Sequence, residues 1–336
     1  MQFPVKPLAY GLALMAGAGL LGACGGGSNN DGPRIQVSPA NAYLLTSNNR
    51  IIGVDLDDTE FARTVAAIAQ NTSTTSSVNA LDVGEEILDI DYRNAEGLLY
   101  GLTRVGSEGR IILIDPINGT VFRRGRLVIV GDASAMPPTT DQNIVLNPNT
   151  NYTIDFNPAV DKLRILGSDG TNLRVTIDAN SSVTAATPTI AATLQDDSLN
   201  CGTPAATGCT EPLVLTGAAY TDERSMTPPT RLFGMDTRNT YALNANAGTV
   251  TTVRALGVSG VTRVNGYDIN PSNEQGVAVF TIASTPSVYA VDSTLNATTS
   301  AATFLTSLPV LPSVQGTQEQ YTGLSLVTGA NPTVAP

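Results

Sequence analysis

Three aspartates recur in similar settings along the chain: Asp91-Tyr92-Arg93, Asp155-Phe156-Asn157 and Asp268-Ile269-Asn270. Each ends a short run of Val, Ile, Leu, Tyr or Phe. If those runs lie side by side, the three acids converge. Converging carboxylates can hold a divalent cation such as calcium through oxygen ligands, or raise one another's pKa, with Asn157 and Asn270 adding neutral oxygens. The plainer alternative is that each Asp caps its own turn by accepting N–H groups from the residues that follow.

A second polar cluster lies in one stretch: Asp161, Arg164, Asn172 and Arg174. Arg164 and Arg174 fall on neighbouring strands, so the two guanidinium groups could clamp a carboxylate or phosphate ligand. They could equally make inter-strand salt bridges to Asp161 or Asp169. Asp57-Asp58 and Asp196-Asp197 lack the spacing and glycine of a calcium loop and read as solvated loops. Gly25-Gly26-Gly27 has no Lys-Ser/Thr after it, which excludes a phosphate loop. Asn71 to Ser77 is a polar linker.

Much chemistry is excluded outright. The 336 residues include no His, which removes His-based catalytic triads, His-ligated zinc and His proton shuttling. Net charge is −11, and a basic face for nucleic acid is not to be expected. These limits favour a non-catalytic binding module over a metal-dependent hydrolase or lactonase-like enzyme, which would have to rely on the three aspartates around a cation.

The elements that position these residues are strands. Charged residues make up 14% of the chain, Trp is absent, and short apolar runs alternate with Asn-Pro, Asn-Gly and Asp-Gly turns. A unit of four strands recurs at a spacing of roughly 45–65 residues, which predicts an all-β, five-bladed propeller. Ile87–Tyr92, Tyr152–Phe156, Leu215–Tyr220 and Asn265–Ile269 are the inner strands of four copies. The first copy has Ala42–Thr46, Arg50–Leu56 and Ala62–Ile68 but no inner strand of its own. Tyr321–Val327 at the other end supplies it, so the ring closes without an open seam. A β-sandwich is the alternative, and it would not need the termini to meet. Long insertions at 132–151 and 195–212 fall on the face opposite the aspartates' turns, where binding is expected.

Several pieces resemble the bacterial family known as domain of unknown function 4394. They are Asp89 to Leu102, Asp155 to Arg164 with Asn172-Leu173-Arg174, Ala219-Tyr220-Thr221, Leu232 to Asp236, and Asn265 to Ile269. The likeness spans roughly residues 41–308, with Asn94 and Asp222 departing from the family's pattern. It implies an extracytoplasmic propeller-like protein and no particular activity.

The N-terminus reads as an address. Lys6 and the apolar stretch Leu8 to Leu21 form a signal peptide, and Leu21-Gly22-Ala23-Cys24 resembles a bacterial lipobox. Residues 1–23 would be removed, Cys24 lipidated, and 24–40 left as a glycine-rich tether to a domain at 41–328, with 329–336 a disordered tail. An ordinary secreted protein is the alternative. The expected partners are then the membrane, through the lipid anchor of a monomer, and an envelope protein or glycan. Cys201 and Cys209 flank a Gly/Pro loop and read as one disulfide outside the cytoplasm, a metal site being the less supported choice for want of further ligands.

Overall fold

The computed structural model describes residues 40–56, 62–72, 79–132, 134–136, 138–177, 190–221, 230–270, 273–292, 302–314 and 316–327. Cys24, the leader, Asp57-Asp58 and the 329–336 tail lie outside the described residues, as does most of the tether and of the 71–77 linker. The chain divides between Arg34 and Ile35, and everything below concerns the second unit.

The described residues are all-β, without a helix. In chain order the strands are β1 (Ala42–Thr46), β2 (Arg50–Val54) and β3 (Ala62–Ala67). Then come β4 (Glu86–Arg93), β5 (Leu98–Val105), β6 (Glu108–Ile114), β7 (Val121–Ile129) and the two-residue β8 (Gln142–Asn143). Next are β9 (Tyr152–Asn157), β10 (Lys162–Gly167), β11 (Asn172–Thr176) and β12 (Ile190–Gln195). They are followed by β13 (Gly217–Tyr220), β14 (Leu232–Met235), β15 (Asn239–Asn244) and β16 (Thr249–Ala255). The last are β17 (Val261–Asn270), β18 (Gln275–Ile282), β19 (Thr285–Asp292), β20 (Ala302–Ser307), the short hairpin β21 (Ser313–Val314) and β22 (Thr317–Gln318), and β23 (Tyr321–Leu326).

Pairing is antiparallel within each set of four: β23-β1-β2-β3, β4 to β7, β9 to β12, β13 to β16 and β17 to β20. The two ends of the domain meet as expected. Tyr43 pairs with Ser325 and Leu44 with Leu324, so a strand from the far end of the chain completes the first set. One junction was not legible beforehand: β7 and β12 pair in parallel through Arg126–Val128 and Ile190–Ala192, joining the second and third sets into one sheet.

Both faces of each sheet are covered, which is why the strands read as nearly continuous apolar runs. On β1 and β2, Tyr43, Leu45 and Ile51 pack toward Ile87, Ile90 and Ile112 of the second set. Their alternating neighbours Ala42, Leu44 and Ile52 pack the other way, against Val277, Val279 and Leu324. The remaining apolar clusters lie between the second and third, third and fourth, and fourth and fifth sets. Burial on two faces per sheet is not the pattern of a two-sheet sandwich, in which each sheet has one inner face.

The first strands β4, β9, β13, β17 and β23 contact one another in turn around a closed circuit. The circuit is tight enough to demand glycine. A Cβ at Gly266 would stand 2.5 Å from the Leu324 nitrogen, and one at Gly323 would stand 2.6 Å from Asp89 Oδ1.

Candidate functional site

Each inner strand pairs on one side only, so its other edge carries N–H groups that the sheet does not satisfy, yet that edge is buried. Such donors need acceptors. The aspartates supply them from the strand before. Asp89 Oδ2 on β4 accepts Ile154 N–H at 2.9 Å, and Asp91 Oδ2 accepts Phe156 N–H at 2.6 Å. Asp155 Oδ1 on β9 accepts Tyr220 N–H at 3.0 Å, assisted by Thr153 Oγ1, which accepts Ala218 N–H at 3.2 Å. Asp268 Oδ2 on β17 accepts Leu326 N–H at 2.6 Å. Matching these acceptances puts Ala219 and Ser325 at the equivalent positions of β13 and β23. Ser325 Oγ donates to Asp91 Oδ1 at 3.2 Å.

Simple turn capping is therefore only half of the arrangement. Asp91 and Asp268 do accept the N–H of their own next residue, Tyr92 and Ile269, with one oxygen. The other oxygen reaches across to the neighbouring strand.

The same geometry brings Asp91, Asp155 and Asp268 together, with one carboxylate oxygen of each within 4.8 Å of the others. A cavity of about 20 Å³ borders them, lined also by Asn94, Pro158, Tyr220 and Leu326, which is room for one water or one ion. Asn157 and Asn270 do not line it. Asn157 Oδ1 instead accepts Ala159 N–H at 2.9 Å. Asp89, two residues before Asp91 and so on the same strand face, is a fourth member that sequence reasoning missed; the Asp-Ile-Asp alternation was the available signal.

Among the described residues no Arg or Lys pairs with these acids, and their pKa values move accordingly. Burial, opposed by N–H groups of Ile154 and Ile90, pushes Asp89 up to about 7. Burial also pushes Asp268 up to about 7, with Leu326 N–H, Ile269 N–H and a hydrogen bond from Asp155 opposing it. Asp91 and Asp155 lie well above the ordinary carboxylate range, through burial first and then the neighbouring carboxylates. Acids this close in a dry site cannot all ionise; some hold their protons.

The arginine cluster is also rearranged relative to the expected salt bridges. Asp161 does not meet Arg164 or Arg174. It forms a two-pronged pair with Arg93 of the second set, Nε–Oδ1 at 2.8 Å and Nη2–Oδ2 at 2.6 Å. Asp169 turns back to Thr150 and Thr171. Both arginines are instead served by Asp196, expected to be a solvated loop residue: Arg164 Nη1 at 2.6 Å and Arg174 Nη2 at 3.2 Å. The Asp196 side chain is only 10% exposed. The physical reason is register, since the end of β12 brings residue 196 beside Asn172 at the start of β11, where the side chains of Arg164 and Arg174 converge. Arg164 is buried and also donates to Asn172 Oδ1, Tyr220 Oη and Asn246 Oδ1, and Asn172 donates to Asp197 O and Ala245 O. Arg164 and Asn172 thus bind the third set to the fourth.

Cys201 and Cys209 form a disulfide that closes the loop ahead of β13. That loop runs beside β16, with Asn200 bridging Thr249.

On the opposite side, at the starts of the inner strands, a cavity of about 560 Å³ is lined by Glu86, Arg104, Asn151, Thr216, Arg263 and Thr322, among others. Thr216 and Thr322 each have a hydroxyl oxygen shut off from solvent and without a hydrogen-bond partner among the described residues.

A family model for DUF4394, a domain of unknown function, matches residues 39–312. The chain belongs to the DUF4394 family. A search of curated proteins finds no match. Among solved structures, this DUF4394 chain is similar to a protein of unknown function from Bacteroides caccae, at 11% identity over 83% of this chain and 76% of that one, TM-score 0.36. It is also similar to a putative 6-phosphogluconolactonase from Bacteroides fragilis, at 9% identity over 80% and 81% of the two chains, TM-score 0.39. A protein from Lactobacillus plantarum gives 16% identity over 81% and 68%, TM-score 0.34. At these scores the likenesses carry no argument about the DUF4394 site.

Proposed function

We propose that this DUF4394 protein is a non-catalytic binding module of the bacterial cell envelope, a five-bladed propeller tethered through a lipid on Cys24. It takes a glycan or protein partner on the face opposite the aspartate turns. Five sets of four strands, a shared strand from the two chain ends and a closed circuit of inner strands support the propeller reading. The observation that carries the binding reading is the cavity of about 560 Å³, where hydroxyl, amide and charged side chains converge at the circuit's mouth. Its two unpartnered threonine hydroxyls suit a ligand rich in hydroxyl or amide groups. The carboxyls of the inner-strand circuit, by contrast, are spent on backbone donors.

A glycan array probed with the purified protein tests this reading. Binding that weakens in Arg263→Ala and Thr322→Val supports it, whereas binding indifferent to both variants removes this face from consideration. Anchoring is tested separately: Cys24→Ser should move the protein from the membrane fraction to the soluble one.

A second reading, a hydrolase or lactonase-like enzyme with a divalent cation held by Asp91, Asp155 and Asp268, is favoured by the 4.8 Å clustering of their oxygens. One equivalent of divalent ion retained through dialysis, and lost in Asp155→Asn, would favour it.

A further inference from the structure

On the aspartate side of the domain, between the third and fourth sets, lies a cavity of about 350 Å³. Lys162, Arg164 and Arg174 line it together with Asn157, Asn244, Asn246, Tyr220 and Thr230. Among the described residues these three cations are met by one carboxylate, that of Asp196.

The three cations are not equivalent. Arg164 has four side-chain acceptors and is committed to the fold. Among the described residues Arg174 has one, Asp196, and its Nε is buried with no partner. Lys162 forms no ion pair among the described residues. Arg174 also stands directly opposite Arg164 in the β10–β11 register. Like charges in cross-strand pairs are unfavourable; Asp196 bridges the two guanidinium groups, so one carboxylate offsets two arginines and net positive charge is left on the cleft wall. In a protein of net charge −11 this spot is locally cationic, so an anion reaching it must be recognised by these groups.

The rest of the lining speaks for a ligand with hydroxyls. Thr230 Oγ1 is buried and has no partner among the described residues. Asn246 spends its oxygen on Arg164, and its amide nitrogen has no protein partner among the described residues. Tyr220 Oη accepts Arg164 Nε at 3.1 Å and is also within hydrogen-bond reach of the Asn157 side chain.

We propose that this cleft binds a small oxyanion ligand, a carboxylate or phosphate that also carries hydroxyl groups, with its acid group between Lys162 and the unspent edge of Arg174. The site is separate from the face assigned to the larger partner, so either can fail without the other. The cavity is of a size for a monosaccharide-scale ligand.

Calorimetric titration of the full chain with galacturonate, glucose 6-phosphate and neutral galactose tests the proposal. Galacturonate or glucose 6-phosphate should bind, with galactose at least about tenfold weaker, and rising salt should weaken the acid's binding. Removing one charged donor should cost about tenfold or more in affinity, in Arg174→Gln and independently in Lys162→Gln. Lys162 lacks an ion pair, so its variant should fold as the parent does and carries the test if Arg174→Gln perturbs the sheet. No binding by either acid, equal binding of galactose, or parental affinity in Lys162→Gln overturns the proposal.

Discussion

Glu319 and Asp155 are both buried acids, 3% and 5% exposed, at opposite ends of the inner strands, and they behave in opposite ways. Glu319 lies just before β23, where Arg50 Nε donates to its Oε1 at 2.8 Å and Arg50 Nη2 and Thr46 add further bonds. Burial works to raise its pKa, but Arg50 and Thr46 win and hold the carboxyl below its ordinary value. Asp155 has a backbone N–H and other carboxyls around it and no cation among the described residues, and burial pushes it up. Similar loss of exposure thus goes with a fixed charge in one region and a proton store in the other. Two things differ: Glu319 has a cation and sits under a thinner layer of protein, whereas Asp155 is deep and surrounded by other carboxyls.

The largest expected effect comes from removing what the two regions share. Truncation after Pro312 deletes Glu319 together with β23, exposing the edge of β1 and leaving Asp268 without Leu326 N–H. The backbone bonds alone contribute about 0.5–1.5 kcal/mol each, against a total of ~5–15 kcal/mol. Insoluble or unfolded protein by circular dichroism is the expected outcome. A truncated chain that melts with the parent would remove ring closure as a source of stability.

Next comes the charged region alone. Glu319→Ala strands Arg50, which is partly exposed, and should cost about 2 kcal/mol by urea denaturation at pH 7, below the 3–5 kcal/mol of a fully buried pair. Asp155→Asn should cost less, within about 1 kcal/mol at the same pH, because an amide oxygen still accepts Tyr220 N–H and no charge pair is broken. Reversal of that order would mean that Asp155 is ionised and paired after all.

The two regions also differ in the sign of their pH dependence. Asp89 and Asp268 have unfolded values near 3.8 and folded values of about 7. Between those limits the unfolded chain holds fewer protons, so their contribution is full below pH 3.8 and is lost as pH rises through about 7. Glu319 is depressed below 4.5, so its contribution is present above that value and is lost as pH falls through its folded pKa. Melting temperature should therefore decline from pH 5 to pH 8, and Asp268→Asn should flatten the slope. A parent profile that rises over this interval would contradict protonated acids at Asp89 and Asp268.

The smallest effect is expected at Ser325, which is fully buried and donates to Asp91. Ser325→Ala should cost about 0.5 kcal/mol in the same urea assay. A much larger loss would show that Asp91 depends on this hydroxyl to remain in place.

Strands, turns and ring closure were all legible in the chain because each is local or periodic. Alternating Val, Ile, Leu and Tyr specify strands, and Asn-Gly or Asp-Gly specifies reversal. The incomplete first copy and the spare strand Tyr321–Val327 pointed to each other because a ring leaves no unpaired seam. The position of Asp91, Asp155 and Asp268 within their repeats was equally readable, as was the pairing of Cys201 with Cys209. What those side chains bond to was not. Asp161 is matched to Arg93, and Asp196 to two arginines, by the packing of one set of strands on the next. The parallel β7–β12 junction and the reach of Asp91 to Phe156 arise in the same way. A repeat specifies its own hydrogen-bond ladder through sequence neighbours. The distance and register between repeats are decided only when their apolar faces pack, and the charge state of every buried acid follows from that packing.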